Sequence, residues 1–266
     1  MTNPVGSFIW YELMTTDPDA ASRFYHAVIG WTVHQDPHGG SDGPDYRMIG
    51  RDDGGNAGGM LHLTPKMCEN GAHSAWFPYL YVTDVDSEAM RIVEEGGHIL
   101  MEPTDLAVGR IALVGDPQGV PIYLMTPIPP EGMEDAASDV FSPTAVQRVA
   151  WNELASPDLA ASKDFYARHF AFEFNTAMPM GELGDYCFID HDGQCLGAMM
   201  QQPQGGVPAL WQLYFRVPSI AEGKAAVEAH GGTVLQGPHE VPGGDWIIVA
   251  TDPQGAVFGL VGAKGD

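Results

Sequence analysis

The chain contains one sequence pattern twice, and this duplication limits its possible folds more than any other feature. Residues 8–126 and 149–262 align almost end to end. Residues 10–13 read Trp-Tyr-Glu-Leu, and residues 151–154 read Trp-Asn-Glu-Leu. Similarity over whole halves of a chain indicates two domains with one architecture.

Each half is itself predicted to contain two units of one strand, one helix and three strands. In the first quarter, residues 8–14 alternate apolar and polar side chains, as a half-buried strand does. Asp17 and Pro18 then provide a helix start, and Gly30 provides a helix end. Further strands are predicted near 31–36, 46–50, 59–63, 76–82, 98–102, 109–114 and 120–126, with a second helix over 86–95. Residues 149–201 and 211–262 repeat this order.

Domain boundaries follow from the repeat and from proline content. We predict a first domain over residues 5–127 and a second over residues 148–263. Residues 128–147 between them are rich in proline, acidic and small residues. Proline stiffens a segment and removes hydrogen-bond donors, so this stretch is interpreted as an exposed linker.

Charge and composition restrict the partners. The formal net charge is −23, from 12 Lys and Arg against 35 Asp and Glu. Nucleic acids and anionic membranes are recognised through basic patches, so neither is expected as a partner. The three cysteines form no even framework, which indicates a reducing compartment. With no leader-like or membrane-spanning apolar run in the sequence, we expect a cytoplasmic protein.

Several motifs carry a family resemblance, and most of them recur in the second half. They are Glu12-Leu13 before Thr-Asp-Pro, the Phe24-Tyr25 pair, Val-Thr-Asp-Val-Asp over 82–86, Gly109-Arg110 and Asp-Pro-Gln-Gly over 116–119. The chain resembles the vicinal oxygen chelate superfamily, which includes glyoxalase I, bleomycin-resistance proteins and extradiol dioxygenases, and in particular its two-domain glyoxalase-like subgroup. The resemblance implies an α+β fold of four βαβββ units in two tandem domains, with curved sheets that enclose cavities and helices outside.

The resemblance also implies where a metal ion would be held. In metal-dependent relatives, His, Gln or Glu side chains from the first, fifth and eighth strands of a domain, and often the fourth, bind a divalent ion. These positions map to Trp10, Phe77 and Tyr123 in the first half. In the second half they map to Trp151, Gln212 and Gly259. Only Gln212 could act as a ligand, so no cofactor and no metal site of the usual kind are predicted.

The cavity lining is predicted from the alternation of side chains along a strand. Glu12 and Glu153 each share the inward face with the tryptophan two residues earlier. The predicted ligand-binding residues are Trp10, Phe77, Tyr79, Arg110, Tyr123, Trp151, Gln212, Tyr214, Arg216 and Trp246. An aromatic lining with one carboxylate per pocket suits a planar or amphipathic small molecule.

Glu12 and Glu153 are the candidate catalytic residues, because a carboxylate on an inward face loses solvation unless it is paired. Three roles stay open for them. Each could be a structural partner of an arginine or of a backbone donor, with Arg216 as a candidate partner of Glu153. Each could be a general base whose pKa is raised by burial, or could orient a ligand or bind a metal ion.

Alternative functions also stay open at the level of sequence. The chain could be a metal-dependent lyase of the glyoxalase I type or an extradiol dioxygenase, with Zn, Ni, Fe or Mn at a relocated site built on His62, Glu12 or Gln212. It could also have a protein-interaction or purely structural role, with its cavities filled by side chains. The main hypothesis is a monomer or homodimer that binds a small molecule, with or without catalysis.

Overall fold

The computed structural model describes residues 3–35, 44–129, 131–132, 135–203 and 209–266. The first half contains β1 (Phe8–Thr15), α1 (Pro18–Ile29), β2 (Thr32–Gln35), β3 (Tyr46–Gly50), β4 (Asn56–His62), α2 (Pro65–Glu69), β5 (Ala75–Tyr81), α3 (Val85–Glu94), β6 (His98–Leu106), β7 (Gly109–Gly115) and β8 (Pro121–Pro127). The second half contains β9 (Val149–Ser156), α4 (Leu159–Phe170), β10 (Ala177–Pro179), β11 (Asp185–His191), β12 (Gln194–Gln201), β13 (Trp211–Ser219), α5 (Ile220–Ala229), β14 (Thr233–Glu240), β15 (Trp246–Thr251) and β16 (Val257–Ala263).

The strands form two eight-stranded sheets with the same topology. The order is β2-β3-β4-β1-β5-β8-β7-β6 in the first and β10-β11-β12-β9-β13-β16-β15-β14 in the second. In the first sheet β1 pairs in parallel with β4, and β5 pairs in parallel with β8. Both sheets are curved and open. The predicted α+β class, with two tandem domains of paired βαβββ units, is confirmed.

Local signals in the sequence explain where the first helix begins and ends. The Asp17 side chain caps α1 by accepting a hydrogen bond from the Ala20 N–H at 2.9 Å, and Pro18 occupies the first turn. Gly30 ends the helix in the left-handed conformation with φ 90°. Both predicted boundaries are confirmed. The short helix α2 was not predicted, although Thr64 caps it in a similar way.

Contacts divide the chain into two compact units, each of which combines parts of both halves. Unit 1 comprises Met1–Trp10, Phe77–Asp139 and Trp151–Trp211. Unit 2 comprises Tyr11–Trp76, Val140–Ala150 and Gln212–Asp266. Within the described residues, no helix is both long enough and apolar enough to cross a membrane.

A buried tyrosine links the first quarter of the chain to the last inside unit 2. The Tyr25 hydroxyl donates to Asp252 Oδ2 at 3.1 Å and accepts from the Trp76 indole N–H at 2.9 Å. Asp252 Oδ1 accepts from the backbone N–H groups of Gln254 and Ala256, each at 2.9 Å. We call this arrangement the Tyr25–Asp252 latch. It joins the Phe24-Tyr25 motif to the second copy of the Asp-Pro-Gln-Gly motif, at residues 252–255.

The latch should change measurably how the free energy of unfolding depends on pH. Desolvation raises the pKa of Asp252 above its ordinary 3.8, against backbone hydrogen bonds that lower it. A pKa that is higher in the folded state means that the folded chain binds this proton more tightly than the unfolded chain does. The resulting stabilisation is complete below pH 3.8 and is lost as the pH rises through the folded-state pKa. Urea unfolding between pH 3.5 and 7 should therefore show Asp252→Asn gaining stability relative to the native chain as the pH rises.

An unchanged stability difference between Asp252→Asn and the native chain over that pH range would contradict this prediction. Asp19→Asn is the control for ordinary carboxylate behaviour, because Arg47 lowers the pKa of Asp19. Asp19→Asn should therefore lose stability relative to the native chain as the pH rises, the opposite of Asp252→Asn.

The segment between the repeats is not exposed throughout, which corrects the interpretation of residues 128–147 as an exposed linker. Val140 and Gln147 are buried. The Gln147 carbonyl accepts from the Trp31 indole N–H at 2.9 Å, and the Gln147 N–H donates to the Arg216 carbonyl at 2.9 Å. Residues 130, 133 and 134 of the predicted linker lie outside the described residues.

Candidate functional site

The first strand of the second half, β9, presents two chemically different faces. Asn152 and Leu154 are fully buried, and the Ser156 hydroxyl bonds the Ser162 hydroxyl on α4 at 2.6 Å. These residues therefore lie on the face that the helix covers. Trp151 and Glu153 lie on the opposite face, called the inner face below, where both are half-buried.

A hydrogen-bond relay connects the two predicted residues of β9 through Tyr186 of β11. The Trp151 indole N–H donates to the Tyr186 hydroxyl at 2.8 Å. That hydroxyl donates to Glu153 Oε2 at 2.5 Å. The short distance is typical of a hydroxyl that bonds a charged carboxylate. Tyr186 is not among the predicted site residues, although its spacing along a predicted strand could have placed it on this face.

Apolar side chains surround this relay. Ala198 of β12 pairs in register with Glu153 on one side and with Phe188 on the other, so all three share the inner face. The Phe188 ring meets the Trp151 ring edge-on at 6.1 Å and the Tyr186 ring at 5.8 Å. We call the half-buried set Trp151, Glu153, Tyr186, Phe188 and Met200 the carboxylate face. All of its members belong to unit 1.

The first half carries related residues in a more closed setting. Glu12 pairs in register with Gly59, and a Cβ atom at Gly59 would meet the Tyr46 hydroxyl. Tyr46 is the counterpart of Tyr186 in the repeat, and it therefore lies close to Glu12 within unit 2. Glu12 is only 3% exposed, whereas Glu153 is half-buried. The two candidate carboxylates consequently differ in their access to solvent.

Three predicted lining residues of the first half pack against one another. Tyr79 of β5 and Tyr123 of β8 are register partners, and their rings stack at 4.2 Å with an interplanar angle of 10°. Phe77 meets Tyr123 edge-on at 6.3 Å. All three are buried. These aromatic side chains therefore fill space on the inner face of unit 1.

The fourth quarter places Gln212, Tyr214 and Arg216 on one face of β13. Tyr214 lies over Gly259, where an added Cβ atom would meet the ring at 2.2 Å. Arg216 Nη2 donates to Asp245 at 2.6 Å. Arg216 therefore pairs with Asp245, and Glu153 accepts a hydrogen bond from Tyr186.

Arg110 and Trp246 do not line the inner face, which corrects two predicted ligand-binding residues. Arg110 shares the face of the fully buried Ala112 of β7. Its guanidinium donates hydrogen bonds to Asp86 of α3 and to Asp105. Trp246 shares the face of the fully buried Ile248 of β15. Its ring lies under the Lys264 ammonium at 4.6 Å. Both strands direct these side chains to the helix-covered side of their sheet.

The metal positions implied by the family resemblance do not fit a metal ion. Trp151 uses its only polar atom as a donor, Tyr123 is stacked on Tyr79, and Gly259 has no side chain. The relocated site is not formed by its two strongest ligands either. His62 pairs in register with Thr15, on the opposite face of the sheet from Glu12. No group of three or more His, Cys, Asp and Glu residues that could hold a metal ion occurs in the described part of the chain.

The fold, the repeat and the inner faces define a protein class, and comparison with known proteins agrees. Residues 7–124 and 147–260 match the Glyoxalase/Bleomycin resistance protein/Dioxygenase superfamily, and the chain belongs to this family. The expected family resemblance is thereby confirmed. "Putative glyoxylase CFP32" of Mycobacterium bovis is 29% identical over 255 residues, which cover 95% of this chain and 93% of that protein. The anthracycline biosynthesis protein DauV of Streptomyces sp. (strain C5) is 33% identical over 125 residues, or 42% of this chain and 45% of that protein.

Solved structures with a similar fold are more distant in sequence. The Mn(II)-bound glyoxalase from Novosphingobium aromaticivorans has a TM-score of 0.62 and 15% identity, and covers 97% of this chain and 82% of its own. The 2,3-dioxygenase LapB from Pseudomonas sp. KL28 has a TM-score of 0.60 and 15% identity, with 98% of this chain and 93% of its own covered. At this level of identity the likeness concerns the fold.

Proposed function

We propose that the chain binds a small planar organic molecule on the carboxylate face, without the metal site of its metal-dependent relatives. The observation that carries the proposal is the half-buried relay from Trp151 through Tyr186 to Glu153. Aromatic side chains that remain partly open can stack on a flat ligand. The relay fixes the orientation of the Glu153 carboxylate, which can then accept a hydrogen bond from a ligand hydroxyl or amine.

Two further considerations favour an aromatic ligand. Phe188 and Met200 extend the apolar area next to the relay, and sites for small molecules combine such surfaces with a few fixed polar groups. Among the relatives, DauV is named for anthracycline biosynthesis. A planar polycyclic molecule with hydroxyl groups therefore suits both the face and this relative.

Glu153→Gln should weaken binding of such a ligand by about 10- to 100-fold, because a hydrogen bond to a charged group contributes about 1.5–3 kcal/mol. Tyr186→Phe should weaken it less, because the carboxylate remains but loses its orientation. Quenching of tryptophan fluorescence measures the dissociation constants for doxorubicin and 2-naphthol, with cyclohexanol as the non-aromatic reference.

Glu94→Gln is the matched control, since Glu94 is an exposed carboxylate on α3, and it should leave binding unchanged. The titrations are run with EDTA and again with added Mn²⁺ or Zn²⁺. Aromatic probes that bind equally well to the native chain and to Glu153→Gln would refute the proposed site. Binding that requires a divalent ion would favour the alternative of a metal-dependent lyase or dioxygenase.

A further inference from the structure

Charged side chains from the two helices α3 and α4 meet inside unit 1. His169 Nδ1 lies 2.5 Å from Glu88 Oε1, and Arg91 Nη1 donates to Glu88 Oε2 at 2.6 Å. Arg168 Nη2 donates to Glu95 Oε2 at 2.5 Å. We call these five residues the α3–α4 charge cluster. The His169 side chain is fully buried, so the cluster reaches the interior of the unit.

His169 has one ring nitrogen whose hydrogen bonding is incomplete. Its Nε2 atom lies 3.2 Å from Glu95 Oε2, but the contact lacks hydrogen-bond geometry. Nε2 is thus a buried polar atom for which the described residues supply no hydrogen-bond partner. A buried polar atom in this condition costs free energy unless a ligand or a water molecule bonds to it.

The internal repeat indicates that the fold does not need this cluster. The residues that occupy the positions of Glu88, Arg91, Arg168 and His169 in the other copy are Gly223, Ala226, Ala27 and Val28, respectively. In unit 2 the corresponding helices α1 and α5 pack directly against each other. One copy of the helix pair is therefore held by small and apolar residues, while the other buries charges at a desolvation cost. Such a cost without a structural need points to a function.

A cavity of about 360 Å³ lies beside the cluster. Arg91, Arg168 and His169 line it together with Ser87 from the first turn of α3, and the acidic residues Asp84 and Glu88 also belong to its lining. The two arginine side chains are 50% and 55% exposed, so the cavity opens to solvent next to them. Its volume is at the lower end of the range for small-molecule pockets, about 300–1,000 Å³, so a small oxyanion fits with room to spare.

The distribution of donors and acceptors indicates what this cavity would take. Both Glu88 oxygens are engaged by Arg91 and His169, and Asp84 Oδ1 accepts from the Ser87 N–H as the cap of α3. Arg91 pairs with Glu88 through Nη1, which leaves Nη2 outside that ion pair. Arg168 pairs through Nε and Nη2, which leaves Nη1 outside. Both Glu88 oxygens and one Asp84 oxygen are thus occupied, while each of the two arginines keeps one Nη atom outside its ion pair.

We propose that this cavity is a second ligand site, which takes a small oxyanion, either a carboxylate or a phosphate. Guanidinium groups bind planar carboxylates and phosphates through paired N–H donors. Arg91 and Arg168 hold the ligand oxygens at the mouth of the cavity, and the buried His169 holds Glu88 in place behind them. The site is separate from the carboxylate face, and neither proposal depends on the other.

The test is calorimetric titration of the full chain with sodium phosphate and with sodium acetate, against sodium chloride at the same ionic strength. Saturable binding of either oxyanion above the chloride reference is expected. Binding of phosphate alone would assign the site to phosphoryl groups, and binding of acetate alone would assign it to carboxylates. If neither binds more strongly than chloride, the proposal is wrong.

Arg91→Ala and Arg168→Ala place at each position the residue that the other repeat already carries, so both variants are expected to fold. Each should raise the dissociation constant of the oxyanion at least about tenfold, because a charge-assisted hydrogen bond is lost. Arg23→Ala, at an exposed arginine of α1, is the control and should leave the constant unchanged. Native affinity in both the Arg91 and the Arg168 variant would overturn the proposal even if the native chain binds phosphate or acetate.

Discussion

Asp252→Ala is expected to lower the free energy of unfolding by about 3–5 kcal/mol, because it removes the acceptor at the centre of the Tyr25–Asp252 latch. Three donors lose their partner: the N–H groups of Gln254 and Ala256, and the Tyr25 hydroxyl. Each buried donor left without a partner costs about 1–3 kcal/mol, and partial relaxation around the alanine reduces the sum. Urea unfolding at pH 7, followed by circular dichroism, measures the loss.

Asp252→Asn separates the loss of the acceptor from the loss of the charge. The asparagine Oδ1 can still accept from both backbone N–H groups, so the expected loss is below about 1.5 kcal/mol. Asp84→Ala is the reference for an exposed aspartate that accepts a backbone N–H at a helix start, and its loss of stability should be clearly smaller than that of Asp252→Ala. Equal losses in Asp252→Ala and Asp252→Asn would show that the latch does not act through its hydrogen bonds.

The fold could be predicted from sequence because its signals are local. The alternation in residues 8–14, the cap at Asp17 and the glycine at position 30 each fix a nearby element, and the repeat supplies each signal a second time. The latch could not be predicted in this way. Tyr25 and Asp252 lie 227 residues apart, and neither motif identifies the other as its partner.

The candidate site was predictable where a landmark fixed the strand register. Trp151 and Glu153 are followed by a recognisable helix start, so the inner face of β9 followed from alternation. Arg110 and Trp246 stand at or next to the start of strands that follow turns, where no landmark fixes the register. A shift of one residue moves a side chain to the other face of a sheet, and both were assigned to the wrong face. Tyr186 was missed because alternation predicts the face on which a side chain lies, but not which other strand brings a side chain to Glu153.

Gln147→Ala is expected to lower the free energy of unfolding by about 2–4 kcal/mol, although Gln147 lies at the end of the predicted linker. Its Oε1 atom accepts from the Asp52 N–H at 2.9 Å. Its Nε2 atom donates to the Gly30 carbonyl and to Asp52 Oδ2, each at 3.1 Å. The side chain is buried, so alanine leaves these groups without their partner. Chemical denaturation of the full chain measures the loss.

Gln147→Gly divides this loss into a side-chain part and a backbone part. Gln147 has φ 62°, a left-handed conformation that costs a residue with a Cβ atom about 1–2 kcal/mol. Glycine removes the same hydrogen bonds as alanine but adopts this φ without strain, so it should be less destabilising than alanine by up to about 1 kcal/mol once its greater freedom in the unfolded chain is included. Full native stability in Gln147→Gly would mean that the side-chain hydrogen bonds contribute no more than the strain that glycine relieves, at most about 1 kcal/mol, and would contradict the expected loss. A loss equal to that of alanine would instead place the whole effect in those hydrogen bonds, since the strain relieved by glycine would then be negligible.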